Sequence, residues 1–240
     1  MSHPERIVPD ETEPGIVALH LKRYAFALPW CEKRDVLDLG CGVGYGSAFL
    51  AETAHKVVGG DVDEGSIEYA RRRYARSNVE FRAFDATSIP FADASFDAVC
   101  CFETIEHVAG PEALVGEAAR VLRPSGVLIV STPHVDRTTH APANPHHRIE
   151  YAREDFARIL RGSFEGVDMY GERRVQTHTH RLLQRLDVLG LRRRSALLRR
   201  ASVLTGTPAL EHVTLDDVVI SQNDVDRAKV LVAVCTRPRT

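Results

Sequence analysis

The stretch that most constrains this chain is Val36-Leu-Asp-Leu-Gly-Cys-Gly-Val-Gly-Tyr-Gly46. Apolar residues flank Asp38 and run straight into glycines at positions 40, 42, 44 and 46. A helical pattern, Ser47-Ala-Phe-Leu-Ala-Glu52, follows at once. That order predicts a buried strand, a tight glycine turn and a helix N-terminus. Glycines remove Cβ atoms, so a ligand can lie directly on the backbone, and some can take a positive φ. The helix start adds unpaired N–H groups that suit a carboxylate or a phosphate.

The residues in and around the turn narrow the ligand. A phosphate-cradling Walker loop needs Lys-Ser/Thr after its last glycine, and none is present. The dinucleotide fingerprint needs a third glycine where Tyr45 stands, which disfavours a nicotinamide-dependent oxidoreductase. A pyrophosphate would also sit badly beside the Asp38 carboxylate. S-adenosylmethionine would not, since it combines a sulfonium, an ammonium, a carboxylate and an adenosine. The turn alone also fits an ordinary βα connection. However, Asp38-Leu-Gly-Cys-Gly-Val-Gly resembles the first motif of the class I S-adenosylmethionine-dependent methyltransferases, and further segments carry the resemblance over roughly residues 15–135.

The resemblance implies a cofactor site built from Asp38, Gly40, Cys41, Gly42 and Gly44. Ile16–Ala27 has helical periodicity ended by Pro29, and resembles the helix that covers the cofactor in many small-molecule members. Arg23 and Tyr24 are its candidates for the methionine carboxylate; the plain alternative is a surface arginine and a core tyrosine. Lys56–Asp61 reads as the second strand. Asp61, 23 positions after Asp38, takes the place of the acidic residue that holds ribose hydroxyls, with Val62 on the adenine. Asp61 could instead cap the next helix, but Asp63 suits that cap better, with Glu64 in the first turn. Val79–Asp85 alternates as a third strand. Asp85 and Ala86 open the adenine loop of the resemblance, Asp85 being otherwise a turn residue.

Ser95–Val108 matches the fourth strand and its exit, which adds Phe102 to the cofactor set. Glu103, Thr104, Glu106 and His107 should then stand near the methyl group's destination, because ligands sit at the C-terminal edge of a parallel sheet. Pro111–Leu122 is amphipathic, Arg123-Pro-Ser-Gly126 reads as a turn, and Gly126–Pro133 as the fifth strand. The loop that leaves this strand, residues 134–151, is long, polar and Pro-rich, as functional lids are. Its segment Asn144-Pro-His-His-Arg-Ile-Glu-Tyr151 resembles an Asn-Pro-x-His-x-x-Glu-aromatic run in a subset of the family, many of whose members act on sugars and secondary metabolites. Three readings compete for the histidines. An imidazole near neutrality could take an acceptor proton, with His147 ahead of His107 and His134. His134, Asp136, His140 and His147 could bind an ion, but their spacing fits no tight motif and no metal is assigned. Or the histidines only fold the loop. Glu103, Glu106, His140, Glu150 and Tyr151 are the expected acceptor contacts.

Further on, Arg153–Arg161 reads as a helix and Phe164–Tyr170 as a sixth strand. A helical insertion over 172–210 combines Arg181, Arg185, Arg192, Arg193, Arg194, Arg199 and Arg200 with leucines. It reads as a wet capping face, an anion or nucleic-acid surface, a membrane-surface helix or a dimer contact. Ala228–Thr236 is the last strand, which in this fold inserts antiparallel between the fifth and sixth. A net charge of −2 announces no nucleic-acid partner. Five cysteines without metal spacing read as reduced packing residues. Without a signal peptide, membrane span or lipidation motif, a cytoplasmic protein is expected.

The expectation is therefore one Rossmann-like α/β domain over 1–240: a seven-stranded, mostly parallel sheet whose last strand is antiparallel, helices on both faces, a cofactor core over 15–135, and a cap from the N-terminal helix, 134–152 and 172–210. Residues 1–12 are expected to be a mobile arm. The expected reaction is methyl transfer from S-adenosylmethionine to an O or N of a small polar acceptor. An RNA or nucleotide methyltransferase and a non-catalytic cofactor-binding protein are the alternatives.

Overall fold

A computed structural model describes residues 7–174, 214–223 and 225–239. Among these residues, eight strands form one sheet: β1 (Asp35–Leu39), β2 (Lys56–Asp61), β3 (Val79–Ala83), β4 (Phe96–Phe102), β5 (Leu122–Pro133), β6 (Phe164–Arg174), β7 (Val218–Ser221) and β8 (Val230–Pro238). Their order is β3-β2-β1-β4-β5-β8-β6-β7. The pairs from β3 to β5 are parallel. The last strand, β8, lies antiparallel between β5 and β6, as expected. The edge strand β7 is the one the sequence reading did not find, so the sheet has eight strands rather than seven.

Alternation along each strand divides the core into two layers, because successive side chains point to opposite faces. Val36, Val57, Ala98, Cys100, Ile129 and Val234 meet Tyr24, Ala27 and Cys31 of α1 (Pro14–Cys31) and Leu50 of α2 (Tyr45–Leu50). Leu37, Val58, Val99, Cys101, Leu128 and Cys235 meet Leu114, Val115 and Ala118 of α4 (Pro111–Val121) and Phe156 and Leu160 of α5 (Arg153–Ser163). The neighbours Cys100 and Cys101 thus fall in different layers, and all five cysteines are buried free thiols. The remaining helix, α3 (Glu64–Tyr74), starts at Asp63, whose carboxylate accepts the Ser66 N–H at 2.7 Å. That is the cap expected from sequence.

Three boundaries differ from expectation. Pro29 lies inside α1, near its C-terminal end, where its missing N–H costs one helical bond and Glu32 N–H still reaches Leu28 O. The Arg123–Gly126 turn is absorbed into β5 as an irregularity: Phe96 pairs with Leu122 and Ala98 with Val127. And β6 runs on through Arg174, because β7 and β8 flank it there, so an insertion can begin only after Arg174. The arginines expected at 181–200, and residues 1–6 of the arm, lie outside the described residues. Ile7 is not part of a free arm; it stands against the cavity at the sheet's edge. No helix of the described residues is long and apolar enough to cross a membrane.

Tyr151 closes the second layer. It is fully buried against Phe156, with ring centroids 5.8 Å apart, and its hydroxyl has no hydrogen-bond partner among the described residues. An unpaired buried hydroxyl costs roughly 1–3 kcal/mol. Tyr151→Phe is therefore expected to leave stability unchanged or raise it by about 1 kcal/mol. Thermal unfolding checks this, and a clear loss of stability would mean that the hydroxyl has a partner.

Candidate active site

The crevice opens where β1 and β4 lie side by side but continue to neighbours on opposite sides, β2 and β5. Loops leaving β1 and β4 diverge there, which makes room for a ligand. A cavity of about 1210 Å³ occupies this edge. Its first half is the glycine turn. Gly40, Gly42 and Gly44 have φ of 76°, 53° and 86°. A Cβ built on Gly42 would meet nothing within 4 Å, so this peptide faces open space. A Cβ on Gly46 would instead lie 1.9 Å from the Tyr24 ring, so the glycine is what lets α1 close over the turn.

Two carboxylates set this turn. Asp61, at the end of β2, accepts the Gly42 N–H and the Asp63 N–H, both at 2.9 Å. A carboxylate has about four acceptor sites, so capacity for a diol remains. Asp38 lies behind the turn, fully buried, and accepts from Ser47 Oγ at 2.6 Å and from the Tyr24 hydroxyl at 3.2 Å. Burial pushes the Asp38 carboxyl up to about 7, Asp61 adds to the rise, and the two hydroxyl donors oppose it. Val62 is 73% exposed beside Asp61, an unusual state for a valine at a sheet edge and suited to an aromatic ring. Asp85 accepts from the Thr87 N–H and hydroxyl at 2.8 and 2.7 Å, which holds its carboxyl below the usual range. It is both a turn residue and a cavity wall.

The second half of the cavity begins beyond β4. Glu103 takes a left-handed φ of 49°, which few non-glycine residues adopt. Ser131 holds it there, accepting its N–H at 3.2 Å and donating to its carboxylate at 2.8 Å. Glu106 is buried; Thr132 donates to its Oε2 at 3.1 Å, and its Oε1 has no partner among the described residues. Burial, with Glu103 nearby, raises the Glu106 carboxyl well above its ordinary range. The 134–152 loop folds down onto this rim, where the Arg148 N–H donates to the Glu106 carbonyl at 2.8 Å. The fold brings His147 to His107, edge to face at 4.9 Å. His147 Nδ1 lies 2.8 Å from Glu150 Oε1, and its Nε2 lies 3.0 Å from Asn144 Nδ2. His107 Nδ1 lies 3.0 Å from the His146 carbonyl.

A family model described as a methyltransferase domain matches residues 37–130, the span from the glycine turn to β5. Over that span the chain is similar to the class I S-adenosylmethionine-dependent methyltransferases. Its curated relatives include a probable S-adenosylmethionine-dependent methyltransferase of Mycolicibacterium smegmatis, 40% identical over 147 residues, 59% of this chain and 56% of that one. Another is a probable S-adenosylmethionine-dependent methyltransferase of Mycobacterium tuberculosis, 39% identical over 162 residues, 65% and 58% of the two chains. This chain thus spans just over half the length of the curated relatives it matches. A solved chain from the complex of the Trm112 methyltransferase activator with a methyltransferase of Haloferax volcanii shares the fold. It has a TM-score of 0.62 and 21% identity, covering 95% of this chain and 93% of that one.

The fold distributes the expected site residues unevenly. Tyr24, Gly40, Cys41, Gly42, Asp61, Val62, Asp85, Ala86 and Phe102 line the cavity, as do Glu103, Glu106, His107 and His147. Asp38 and Gly44 do not; they shape the turn from behind. Arg23 is a correction. It is buried, 2.7 Å from Glu172 on β6 and 3.7 Å from Glu103, because α1 packs that face of the helix on the sheet. Burial alone would lower its pKa, but Glu103 and Glu172 hold it above the ordinary value. His134 also falls outside the cavity, with Nδ1 3.0 Å from the Ala228 carbonyl. His140 is exposed on the loop's outer side, and Tyr151 is core. Glu150 does not line the cavity either, but orients His147. His134, Asp136, His140 and His147 do not converge; the described residues bring together Glu106, His107 and His147 instead.

His20 was missed. It lines the cavity from α1, and burial, then Arg23, lowers its pKa well below the ordinary value. Its only sequence signal was a histidine on an apolar helix face. Asn144, in the same segment as His147, meets that histidine.

Two outcomes are expected. Asp61→Ala removes the acceptor of the Gly42 N–H, and a charged hydrogen bond contributes about 1.5–3 kcal/mol, so S-adenosylhomocysteine should bind roughly ten- to a hundredfold more weakly by calorimetry. Unchanged affinity would remove Asp61 from the site. For Asp38, the folded carboxyl holds a proton between its unfolded pKa of 3.8 and about 7. Its contribution to stability therefore declines as pH rises through that window and levels off above it. The decline amounts to about 4 kcal/mol at about 1.4 kcal/mol per unit. Asp38→Asn should flatten this slope in urea titrations between pH 5 and 8; a parallel slope in the variant would assign the proton elsewhere.

Proposed function

We propose that this chain transfers a methyl group from S-adenosylmethionine to an oxygen or nitrogen of a small polar acceptor such as a sugar, aminocyclitol or glycosylated metabolite. The carrying observation is the composition of the cavity's second half. Beyond the glycine turn Glu103, Glu106, His107, His147 and Arg148 line it beside Val108, Ala113, Pro133 and Pro145, and the polar members suit hydroxyls and amines. Bound S-adenosylmethionine supplies a methyl already activated by its sulfonium. The chain's part is then to hold the nucleophile in line, exclude water and receive a proton.

Each of those tasks has a candidate residue. Asp61 and Val62 suit the ribose and adenine, and the Gly42 peptide suits the amino-acid tail. The loop over residues 134–152 roofs the acceptor half, fastened to the Glu106 carbonyl. Glu150 at Nδ1 favours the His147 tautomer whose Nε2 carries the lone pair. An acceptor hydroxyl would displace the Asn144 amide from that nitrogen and pass its proton to it. A demethylmenaquinone methyltransferase of Clavibacter sepedonicus is 43% identical over 104 residues, 42% of each chain. That name makes a quinol-like hydroxyl an acceptor class to include in the test.

A panel of sugars, aminocyclitols, glycosides, quinols and amines, assayed with methyl-labelled cofactor, tests the reading. Turnover on a polar hydroxyl is expected, and His147→Ala should lower it by roughly a hundredfold or more with S-adenosylhomocysteine affinity intact. Full turnover in the variant would overturn the assignment of His147. Label transfer to RNA with steeply salt-dependent binding would favour the nucleotide-modifying alternative. Cofactor binding with no turnover on any acceptor would favour a non-catalytic protein.

A further inference from the structure

The acceptor half of the cavity contains a convergence that methyl transfer does not by itself require. Glu106, His107 and His147 each present a ligand atom within 4.8 Å of the other two. They arrive from different directions: Glu106 and His107 from the short 3₁₀ turn after β4, His147 from the loop that folds over it. Two observations separate this group from an ordinary polar cluster. First, Glu106 is fully buried, and its Oε1, with no partner among the described residues, belongs to a side chain that lines the cavity. A buried carboxylate oxygen left unpaired is costly, and a cation is one remedy. Second, both imidazoles have Nδ1 engaged by an oxygen acceptor, the His146 carbonyl at 3.0 Å and Glu150 Oε1 at 2.8 Å. A hydrogen bond at one ring nitrogen fixes the tautomer in which the other can ligate, which is how metal-binding histidines are usually oriented.

We infer that Glu106, His107 and His147 form a binding site for one divalent first-row transition ion of the zinc type. One carboxylate and two imidazoles make a three-ligand set that leaves positions open to the cavity. Zinc bonds of about 2.0–2.2 Å put ligand atoms roughly 3.4 Å apart, so the three side chains must draw together by up to about 1.4 Å. Asn144 Nδ2, now 3.0 Å from His147 Nε2, must turn aside. The ion then pins the loop to the sheet edge through His147 and accepts one oxygen of a chelating acceptor such as a vicinal diol. The role of that oxygen, unlike the site itself, rests on the methyl-transfer reading. The coordinated hydroxyl gives its proton to solvent as it binds, before the loop excludes water; its oxygen then bonds to the methyl carbon as the carbon–sulfur bond breaks. With the ion bound His147 serves as a ligand; the proton-accepting role given above belongs to the ion-free chain.

The test is calorimetric titration of Zn²⁺ into full-length protein stripped with a chelator, with S-adenosylhomocysteine titrated separately. One ion per chain is expected, with Co²⁺ in its place giving visible d–d bands of low coordination number. His107→Ala and His147→Ala should each weaken binding at least about tenfold, and Glu150→Gln, which only orients His147, by about ten- to a hundredfold. Glu106→Gln should do the same; if that variant does not fold, the two histidine variants still decide. His140→Ala, on the exposed side of the loop, should change nothing. Failure of the folded wild-type chain to bind Zn²⁺ overturns the site, as does binding lost in His140→Ala but retained in His147→Ala. S-adenosylhomocysteine binding without Zn²⁺ binding sinks the metal site and leaves the methyl-transfer reading standing. Zn²⁺ binding without S-adenosylhomocysteine binding does the reverse.

Discussion

The bond between the Asp61 carboxylate and the Gly42 N–H is the constraint on which this edge of the molecule depends. It joins the end of one strand to the turn that leaves its neighbour, so the spacing between them is set before any ligand arrives. The bond needs a turn whose peptide can rotate its N–H toward β2, which Gly42 permits with φ of 53°. It also needs α1 to lie close over the turn, which Gly46 permits by having no side chain under Tyr24. Tyr24 in turn donates to Asp38, so helix, turn and strand share one polar network inside an apolar layer. Networks of this kind are costly when incomplete and rigid when complete.

The second half of the cavity is built differently. There the walls come from a strand exit and from a loop that reaches back over it. Their attachment is polar: Ser131 to Glu103, Thr132 to Glu106, and loop amides to the Glu106 carbonyl. The glycine-turn half, braced from β2, and the second half, roofed by a separately fastened loop, are thus held by different elements. The fold alone does not decide the chemistry, since a [4+2]-cyclase shares it at a TM-score of 0.58 and 19% identity. The side chains on the roof have to be argued on their own.

Arg23, His134, His140 and Tyr151 show where reading along the chain went astray. Each was placed near the reacting groups by its position in a segment rather than by a period that fixed its direction. Arg23 turned toward Glu172, a residue 149 positions away that no local pattern could point to. Tyr151 carries a hydroxyl and stands beside polar neighbours, yet it packs under Phe156 because α5 needs a large ring there. His134 pairs with a carbonyl near β8, an element from the far end of the chain. The strand β7 escaped because four residues beside a long sheet edge hold too little alternation to register.

What the amino-acid order determined by itself is the glycine turn, the parallel strands and the cap at Asp63. These depend on contacts within a few residues or on repeats of two and three to four, which are local physics. Only the tertiary structure decided that Asp61 would brace Gly42, that Asp38 would be sealed behind Tyr24 and Ser47, and that His107 and His147 would meet over Glu106. Those pairings are distant in sequence, and their geometry is set by how helices and the loop over residues 134–152 pack on the finished sheet. Burial and long-range hydrogen bonding act on distances between elements, and a linear pattern does not contain those distances.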